Sequence, residues 1–430
     1  MIEELSLRNV GPAPGMALRF APRLNLLTGD NGLGKSFLLD IAWWALTRKW
    51  PGELNRRLPT GLAAKPYADK PASITFSVTG KSKSVTYESK FDRKLQAWTG
   101  AAGRPVNPGL VLYAQADGGF AAWDPARNYW RKKGNVDVQD RPPAYVFSTQ
   151  EIWDGLKDPD RGLLCNGLIA DWAGWQKERG EAFKRLKAVL AALSPEASEW
   201  IEPGDLTRIS LDDARDIPTI RMPYGQDVPV LHASAGIRRI LALAYLLVWT
   251  WEEHLKAAAL IGEKPTPQVT FLIDEIECHL HPKWQRRTVA ALLEVMTSLA
   301  KDASVQVIAA THSPLVMASV EPIFDADKDA WFDLDFESAG NQNTVVLRQR
   351  TFVRQGDAGN WLTSEAFDLQ SSRSIEAEQA IERAAAAMSS DNFSKSQAQK
   401  IHRELLKVLG DTDPFWMRWR FVGEKKGWLP

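Results

Sequence analysis

The chain has 430 residues, enough for several domains or for one large core with insertions. Its 53 lysines and arginines balance its 53 aspartates and glutamates, so global charge gives no argument for binding nucleic acid or a membrane. The two cysteines argue against a disulfide framework, and the longest apolar run, 240–251, is shorter than a membrane span. No signal-peptide pattern begins the sequence, so we expect a cytoplasmic protein with no membrane partner.

The first part of the chain predicts mainly strands. Segments rich in β-branched and aromatic residues predict strands at 2–10, 16–20, 24–28, 110–113 and 145–147, and two antiparallel strands around a Gly-Lys-Ser turn within 73–92. A helix is expected from 36 to about 48, and a loop-rich stretch from 115 to 144.

The second part of the chain alternates helices with strands. Apolar periodicity predicts helices at 166–193, 237–256, 284–299, 374–388 and 396–409. The continuous apolar runs 269–273 and 305–310 predict strands buried on both faces, and 194–230 predicts short strands and loops. This alternation indicates an α/β fold.

Residues 29–36 carry the most specific motif, GDNGLGKS, which fits G-x-x-x-x-G-K-[ST] between a predicted strand and a predicted helix. Its glycines let backbone N–H groups turn toward an anion at the positive end of the helix. Lys35 is expected to reach the β- and γ-phosphates of a nucleotide, and Ser36 to place its hydroxyl on Mg²⁺. An ordinary glycine turn is the alternative. The predicted nucleotide site comprises Gly29, Asp30, Asn31, Gly32, Leu33, Gly34, Lys35, Ser36 and Phe37.

Two predicted strands end in residues suited to phosphate chemistry. The strand 269–273 leads into Asp274, which can hold Mg²⁺, and Glu275, which can orient and deprotonate the attacking water. Shortly after the strand 305–310 comes His312, which can contact the γ-phosphate or the water. A solvated acidic turn and a hydrogen-bonded loop histidine are the respective alternatives.

A Ser-x-Gly sequence precedes the predicted helix 237–256. Ser234 and Gly236 offer a hydroxyl and bare N–H groups at a helix N-terminus, which is an anion site. Arg238 and Arg239 are unfavourable at that end of the helix dipole unless an anion is bound. A plain serine N-cap is the alternative.

The order of P-loop, Ser-x-Gly helix start, Asp-Glu strand end and His strand end resembles the ABC-type ATPases, and within them the RecF/SMC branch. Residues 274–285, DEIECHLHPKWQ, resemble the D-E-x-E-x-x-L-H-P-x-x-Q signature of the compact OLD-like ATPases of prokaryotic defence systems. The sequence Thr-His-Ser-Pro at 311–314 resembles their switch histidine. Residues 361–367, followed by 372–374, are similar to a C-terminal segment of that group.

The resemblance implies an ABC-type P-loop ATPase head, built on a mixed sheet with an antiparallel β subdomain, that binds ATP and Mg²⁺. It also implies a head-to-tail dimer or higher oligomer, in which Ser234 and Gly236 of one copy contact the γ-phosphate held by Lys35 of the other. The Q-loop glutamine that senses the metal is assigned to Gln150, with Gln115 as the alternative.

The resemblance also divides the chain into four regions. They are an N-terminal half of the head at 1–150, a helical lid insertion at 151–230, a C-terminal half at 231–350 and a helical extension at 351–430. The signature departs from the family at two positions, where Ala235 replaces the usual first glycine and Ile237 replaces a polar residue.

Three further segments carry weaker signals. Cys278, His279 and His281 lie on one short loop, which offers too few ligand directions for a tetrahedral zinc site. Residues 127–133 are basic with interleaved aromatic side chains, a pattern that suits nucleic acid and is also common in solvated loops. Residues 415–419, FWMRW, are a candidate anchor for a partner protein or part of the chain's own core.

Features that the sequence lacks narrow the function. It carries neither the long heptad arms and hook cysteines of SMC and zinc-hook ATPases nor an acidic cluster like a Toprim nuclease. We therefore expect an ATPase that controls a separately encoded effector, such as a nuclease, in prokaryotic anti-phage defence. The alternatives are a RecF-type DNA-binding repair ATPase, a transporter ATPase and an ATP-gated scaffold with negligible turnover.

Overall fold

The computed structural model of the protein describes residues 1–67, 69–80, 83–100, 104–134, 136–139, 144–196, 199–339, 342–390 and 393–428. Its contacts divide the chain into two compact units, Met1–Gly356 and Asp357–Pro430. Within the described ranges, none of the helices combines the length and the apolar character needed to cross a membrane. The finer division into four regions stays a prediction.

All strands in the described parts of the chain belong to the first unit. In chain order they are β1 (Ile2–Val10), β2 (Ala13–Arg19), β3 (Leu24–Gly29), β4 (Ser73–Thr79), β5 (Ser84–Asp92), β6 (Ala97–Trp98), β7 (Leu110–Ala114), β8 (Phe120–Trp123), β9 (Trp130–Lys133), β10 (Val136–Gln139), β11 (Ala144–Phe147), β12 (Leu156–Asp158), β13 (Gly162–Cys165), β14 (Glu202–Pro203), β15 (Thr219–Arg221), β16 (Asp227–Pro229), β17 (Gln268–Ile273), β18 (Ser304–Ala310), β19 (Asp329–Ala339) and β20 (Gln342–Arg350).

The helices are distributed over both units. Those of the first unit are α1 (Lys35–Thr47), α2 (Pro51–Leu54), α3 (Thr149–Asp154), α4 (Leu168–Glu178), α5 (Glu181–Leu193), α6 (Ala235–Leu260), α7 (Pro282–Leu299) and α8 (Pro314–Val320). Those of the second unit are α9 (Ala358–Leu362), α10 (Ile375–Ser389), α11 (Lys395–Val408) and α12 (Phe415–Lys425).

The central sheet joins strands from distant parts of the sequence, in the order β11-β8-β7-β17-β18-β3-β19-β20. β7, β17, β18, β3 and β19 are parallel, whereas β8, β11 and β20 are antiparallel at the edges. β17 and β18 are buried over most of their length, as their continuous apolar sequences predict for strands covered on both faces. The carboxyl ends of β17, β18 and β3 therefore meet at one edge, where open α/β sheets bind their ligands.

A second, antiparallel sheet has the order β2-β1-β4-β5-β6. Its buried side chains, such as Leu5 and Phe76, share one hydrophobic cluster with Leu39 and Trp43 of α1 and with Ile308 of the central sheet. α1 is thus enclosed on most of its circumference, which explains its almost uninterrupted apolar sequence. This arrangement confirms the predicted α/β class with a mixed sheet and an antiparallel β subdomain.

Several local expectations need correction. The described part of the loop-rich stretch 115–144 also contains three strands, because β8 pairs with β7 and β9 pairs with β10 in ways that local composition does not encode. The pattern over 166–193 forms two helices, since Arg179 adopts φ 53° and ends α4 before Gly180. The β19–β20 hairpin was not predicted. The predicted Gly-Lys-Ser turn falls partly on residues 81 and 82, which lie outside the described residues.

The second unit is a small helical bundle with its own core. Small side chains of α10 allow α11 and α12 to approach closely, and the buried set comprises Ala377, Ala380, Ala384, Ala387, Met388, Ala398, Ile401, Leu405, Leu409, Trp416, Trp419 and Trp428. Trp416 and Trp419, from the candidate anchor, therefore pack inside the unit. Met417 and Phe421 of α12 are exposed.

Candidate functional site

A strand–turn–helix unit forms the predicted phosphate loop. β3 ends at Gly29 and α1 begins at Lys35, so the turn lies at the carboxyl edge of the central sheet. Gly29 has φ 126°, and a Cβ atom there would lie 2.2 Å from the carbonyl oxygen of Leu334, so this position requires glycine. Gly34 caps α1 with φ 106°, which leaves the unpaired N–H groups of the first helical turn available to an anion.

The other residues of the predicted nucleotide site divide into two groups. Asp30, Asn31, Gly32 and Ser36 are exposed around the turn, where a ligand can reach them. Leu33 is buried in the core, and the ring of Phe37 lies so close to Gly11 that a Cβ atom there would be 2.2 Å from it. Leu33 and Phe37 therefore anchor the loop to the protein.

Lys35 is buried beneath the phosphate loop. Its Nζ donates hydrogen bonds to the carbonyl oxygens of Gly29, at 2.7 Å, and Asp30, at 2.9 Å. Burial lowers the pKa of Lys35 to about 8, and nearby carboxylates, Asp274 first among them, oppose that shift. Phosphate oxygens can replace these neutral carbonyl partners with charged ones, which strengthens the hydrogen bonds of the ammonium group.

Asp274 follows β17 and shows an observation that fits a metal. Its side chain is buried, and Oδ1 has no hydrogen-bond partner among the described residues. Burial raises the pKa of Asp274 to about 6, and a hydrogen bond from Ser36 opposes this increase. Mg²⁺ in proteins is commonly held by one carboxylate together with substrate phosphates, so an unpaired carboxylate oxygen beside a serine hydroxyl fits this ion.

Glu275 occupies a turn that another helix holds in place. Its φ of 47° is left-handed, which is uncommon for a residue other than glycine. Arg239 of α6 donates to the carbonyl oxygens of Asp274 (3.3 Å), Glu275 (3.4 Å) and Ala116 (3.1 Å). The partners of Arg239 are thus backbone oxygens of this turn and of Ala116, and the anion that the sequence suggested near it stays a prediction.

His312 lies in the loop after β18, and Glu277 holds that loop. The hydroxyl of Thr311 donates to one carboxylate oxygen of Glu277 at 2.7 Å, and the backbone N–H of His312 donates to the other. Burial lowers the pKa of His312, and so does the cation of Lys35. The imidazole is therefore neutral at pH 7, able both to donate and to accept a hydrogen bond.

Gln285 links the turn after β17 to the histidine loop. The hydroxyl of Ser313 donates to Gln285 Oε1 at 2.7 Å, and Gln285 Nε2 donates to the carbonyl oxygen of Leu280 at 2.8 Å. The sequence suggested Glu277 as a supporting acid behind the ligands of the site and gave no role to Gln285. Both positions lie in the motif DEIECHLHPKWQ, so the signal was present, but their partners become known only from the fold.

Ser234 and Gly236 lie at the N-terminus of α6, about 200 residues after the phosphate loop in the sequence. Ser234 is exposed and caps α6, with its oxygen 3.5 Å from the backbone nitrogen of Ile237. A Cβ atom on Gly236 would lie 2.5 Å from the carbonyl oxygen of His279, so this turn packs directly on the segment after Glu275. Arg238 lies over the ring of Trp153, 4.8 Å from its centroid, and the anion expected at this helix N-terminus stays a prediction.

The two candidate glutamines occupy different positions relative to Asp274. Gln150 is an exposed residue of α3, which follows the edge strand β11. Gln115 follows β7, the direct neighbour of β17, and is buried with its Oε1 unpaired among the described residues. Gln115, the alternative, is therefore the candidate that follows the strand next to β17, and the metal-sensing role of either glutamine stays a prediction. The sequence could not reveal which strand lies beside β17.

The loop with Cys278, His279 and His281, considered above for zinc, shows no metal site among the described residues. Among the residues that the structure describes, no group of three His, Cys, Asp or Glu side chains is placed to hold a metal ion. His281 caps α7, with Nδ1 accepting a hydrogen bond from the backbone N–H of Lys283 at 3.3 Å. His279 is exposed with a left-handed φ of 61°.

A P-loop, an Asp-Glu strand end and a histidine strand end on adjacent parallel strands, with an antiparallel subdomain over α1, define an ABC-type P-loop ATPase head. A family model described as "AAA domain, putative AbiEii toxin, Type IV TA system" matches residues 24–318. That match covers more than half of the chain, so the protein belongs to this AAA-domain family.

Individual proteins show similarity as well. The Septu protein PtuA of Bacillus thuringiensis is 21% identical over 374 residues, which cover 86% of this chain and 83% of that protein. The "Retron Vc95 probable ATPase" of Vibrio cholerae serotype O1 biovar El Tor is 29% identical over 123 residues, 27% of this chain and 20% of that protein. The SMC head domain from Thermotoga maritima covers 81% of this chain and 99% of its own, with 15% identity and a TM-score of 0.39. The recombination mediator RecF covers 82% of this chain and 98% of its own, with 13% identity and a TM-score of 0.38.

Proposed function

We propose that the protein binds ATP with Mg²⁺ and hydrolyses the γ-phosphate. The observation that carries this proposal is the convergence of Lys35, Asp274 and His312 at the carboxyl ends of β3, β17 and β18, three neighbouring strands. The unpaired Oδ1 of Asp274 supports the metal, because a buried acceptor without a partner is costly unless a ligand satisfies it.

Each side chain has a definite chemical task in this proposal. Lys35 holds the β- and γ-phosphate oxygens, while Asp274 and Ser36 hold Mg²⁺, which screens the phosphate charge when bound. Glu275 orients the attacking water and accepts its proton. Neutral His312 forms a hydrogen bond with that water or with a γ-phosphate oxygen.

We further propose that two copies complete each site. Ser234 and the adjoining Ala235 are exposed at the N-terminus of α6, so a second copy can reach them. In a head-to-tail dimer, the Ser234 hydroxyl and the Gly236 N–H of one copy would contact the γ-phosphate bound to Lys35 of the other. The packing of Gly236 against His279 supports this, since it ties the Ser-x-Gly turn to the turn that carries Glu275.

The biological role that we propose is control of a separately encoded effector, such as a nuclease, in anti-phage defence. The family match and the similarity to a Septu protein and to a retron ATPase support this role. Closure and opening of the ATP-bound dimer would change the surface that the effector contacts.

Replacing Lys35 tests the nucleotide site. The variant Lys35→Ala should bind ATP at least about tenfold more weakly, because a hydrogen bond to a charged group is worth about 1.5–3 kcal/mol. Affinity is measured by isothermal titration calorimetry with a non-hydrolysable ATP analogue and Mg²⁺. Lys301→Ala, at an exposed lysine, is the matched control. Wild-type affinity in the Lys35 variant would contradict the assignment.

A further inference from the structure

A groove lined by tryptophans and cations lies at the end of α1 that is remote from the phosphate loop. It has a volume of about 310 Å³, and its walls include Trp44, Trp98, Trp123 and Trp130 together with Arg48 and Lys49. We call it the aromatic groove. α1 has 13 residues and spans about 20 Å, so this groove and the Lys35 site are at opposite ends of one helix.

Two cations of the aromatic groove, Arg48 and Lys49, lack a carboxylate partner among the described residues. The guanidinium of Arg48 lies 4.1 Å from the ring centroid of Phe76 and 4.5 Å from that of Tyr87. Burial lowers the pKa of Arg48 to about 10, so it stays a cation at pH 7. In the described parts of the chain, neither Arg48 nor Lys49 forms an ion pair with a carboxylate. The groove is thus suited to an anionic ligand.

An unsatisfied polar group provides a second, independent observation. Trp123 is 3% exposed, and its Nε1–H has no hydrogen-bond partner among the described residues. A buried N–H group without a partner is costly, and an acceptor on a bound ligand would remove that cost. The ligand that fits this groove is therefore an anion with a hydrogen-bond acceptor and a flat face that can stack on indole rings.

Only part of the basic segment 127–133 belongs to the aromatic groove. Arg127 is occupied by ion pairs with Asp124 and Glu253 and lies outside this role. Trp130 is held in place because its Nε1–H donates to Asn128 Oδ1 at 2.8 Å. The next three residues of β9, 131–133, are Arg-Lys-Lys and are exposed, so positive charge continues from the groove along the hairpin.

We propose that the aromatic groove binds single-stranded nucleic acid, with one base stacked among its indole rings and the phosphates along Lys49 and β9. A base can enter the groove only when it is unpaired, which excludes duplex as the preferred ligand. The basic edge of β9 extends past one nucleotide, which favours a strand over a free nucleotide. This proposal does not depend on ATP hydrolysis, because no residue of the ATP site takes part in it.

Fluorescence anisotropy with a labelled thymidine oligonucleotide of about 15 residues tests this proposal. The single strand should bind the full chain, and the same strand annealed to its complement should bind more weakly. Trp130→Ala should weaken binding by between about five- and a hundredfold, as expected for the loss of one stacked base. Trp130→Phe should retain most of the affinity, since it keeps a stacking ring.

A charge variant and matched controls complete the experiment. Lys49→Gln should weaken binding and reduce its dependence on salt concentration, because one phosphate contact is lost. Phe336→Ala and Lys264→Gln, at an exposed aromatic residue and an exposed lysine elsewhere, should bind the strand like the wild type. Trp130→Ala should keep wild-type ATP affinity, which separates this site from the nucleotide site.

Four results would overturn the proposal. They are no binding of the single strand by the wild type, unchanged affinity in both Trp130→Ala and Lys49→Gln, equal affinity for duplex, and thymidine monophosphate binding as tightly as the strand. The last result would identify a free nucleotide as the ligand. Because Lys49 lies just after α1 and outside the β9–β10 hairpin, its variant remains informative even if Trp130→Ala disturbs that hairpin.

Discussion

At the scale of single residues, Glu275 and Asp274 are neighbours with different proposed tasks. Asp274 is buried with an unpaired oxygen, whereas Glu275 is only half-buried and sits in a strained turn that Arg239 supports. The variant Glu275→Gln keeps the size of the side chain and removes the proposed base. We expect it to bind ATP like the wild type and to lose at least about a hundredfold in turnover, measured by phosphate release.

The control for this variant makes the same chemical change at a surface carboxylate. Glu294→Gln replaces an exposed glutamate of α7 that has no proposed part in the chemistry, so its turnover should stay close to that of the wild type. Turnover of Glu275→Gln equal to that of the wild type would remove Glu275 from the role of base.

Asp40 of α1 makes the stability of the fold depend on pH. Burial raises the pKa of Asp40 to about 7, a hydrogen bond from Tyr113 opposes this, and Asp274 and Asp117 add to it. The folded state therefore keeps a proton that the unfolded chain releases near pH 4. The free energy of unfolding should therefore fall by up to about 4 kcal/mol as pH rises from about 4 to about 7. Above about pH 7 this contribution should stay level.

The variant Asp40→Asn removes this titration and keeps an oxygen that can accept the Tyr113 hydrogen bond. Without nucleotide, it should raise the melting temperature at pH 8 and do so much less at pH 5. Thermal unfolding across this pH range measures the effect, with the exposed Asp302→Asn as the control. A gain that is the same at both pH values would show that the carboxyl group is not buried as the structure indicates.

At the scale of elements, the start of α6 is fixed by a close contact. Gly236→Ala would place a Cβ atom 2.5 Å from the carbonyl oxygen of His279, so the turn or the helix must shift. We expect a loss of about 1–3 kcal/mol in the free energy of unfolding, partly offset by the better helix propensity of alanine. Turnover should fall as well, because the displaced turn is continuous with Glu275.

Gly174 in α4 is the matched control for this variant. A Cβ atom there meets nothing within 4 Å, so Gly174→Ala should be neutral or stabilise the protein by up to about 1 kcal/mol. Urea unfolding compares the two variants. Equal effects at both positions would mean that the contact of Gly236 with His279 does not constrain the fold.

The elements also show what the sequence could predict. The phosphate loop and the strand ends at Asp274 and His312 were predictable, because their signal is local: an apolar strand, a turn and specific polar residues in register. The position of Gln115 beside Asp274 was not, since it depends on β7 pairing with β17 across more than a hundred residues. The same holds for Arg239, whose partners are backbone atoms that no pattern of side chains encodes.

Strands β19 and β20 were also missed from the sequence because their pairing depends on the strand order of the sheet. β19 pairs in parallel with β3, a strand from early in the chain, and β20 pairs with β19 at the edge of the sheet. Asp333 of β19 accepts a hydrogen bond from the hydroxyl of Thr28 at 2.9 Å, which helps to set this register. Long-range pairing of this kind overrides local propensity and is the main reason for the missed strands.

At the scale of the whole molecule, the proposal of composite sites makes a quantitative prediction. In Ser234→Arg, a bulky cation blocks the face that a second copy would contact, while Lys35 and Asp274 of the same copy are unaffected. This variant should bind ATP as a monomer and lose turnover. Lys35→Ala should lose turnover for the opposite reason, because its own phosphate loop is defective.

Mixing the two inactive variants distinguishes composite sites from sites within one chain. A heterodimer contains one site with intact Lys35 and Ser234 and one site that carries both changes. With free exchange, half of the dimers are mixed and each has one functional site, so an equimolar mixture should recover up to about a quarter of wild-type turnover. If each site belonged to a single chain, no combination of the two variants would restore activity, because every chain would carry one defect. Titrating one variant into the other while measuring phosphate release therefore decides the architecture, and the recovered activity should peak at equal concentrations.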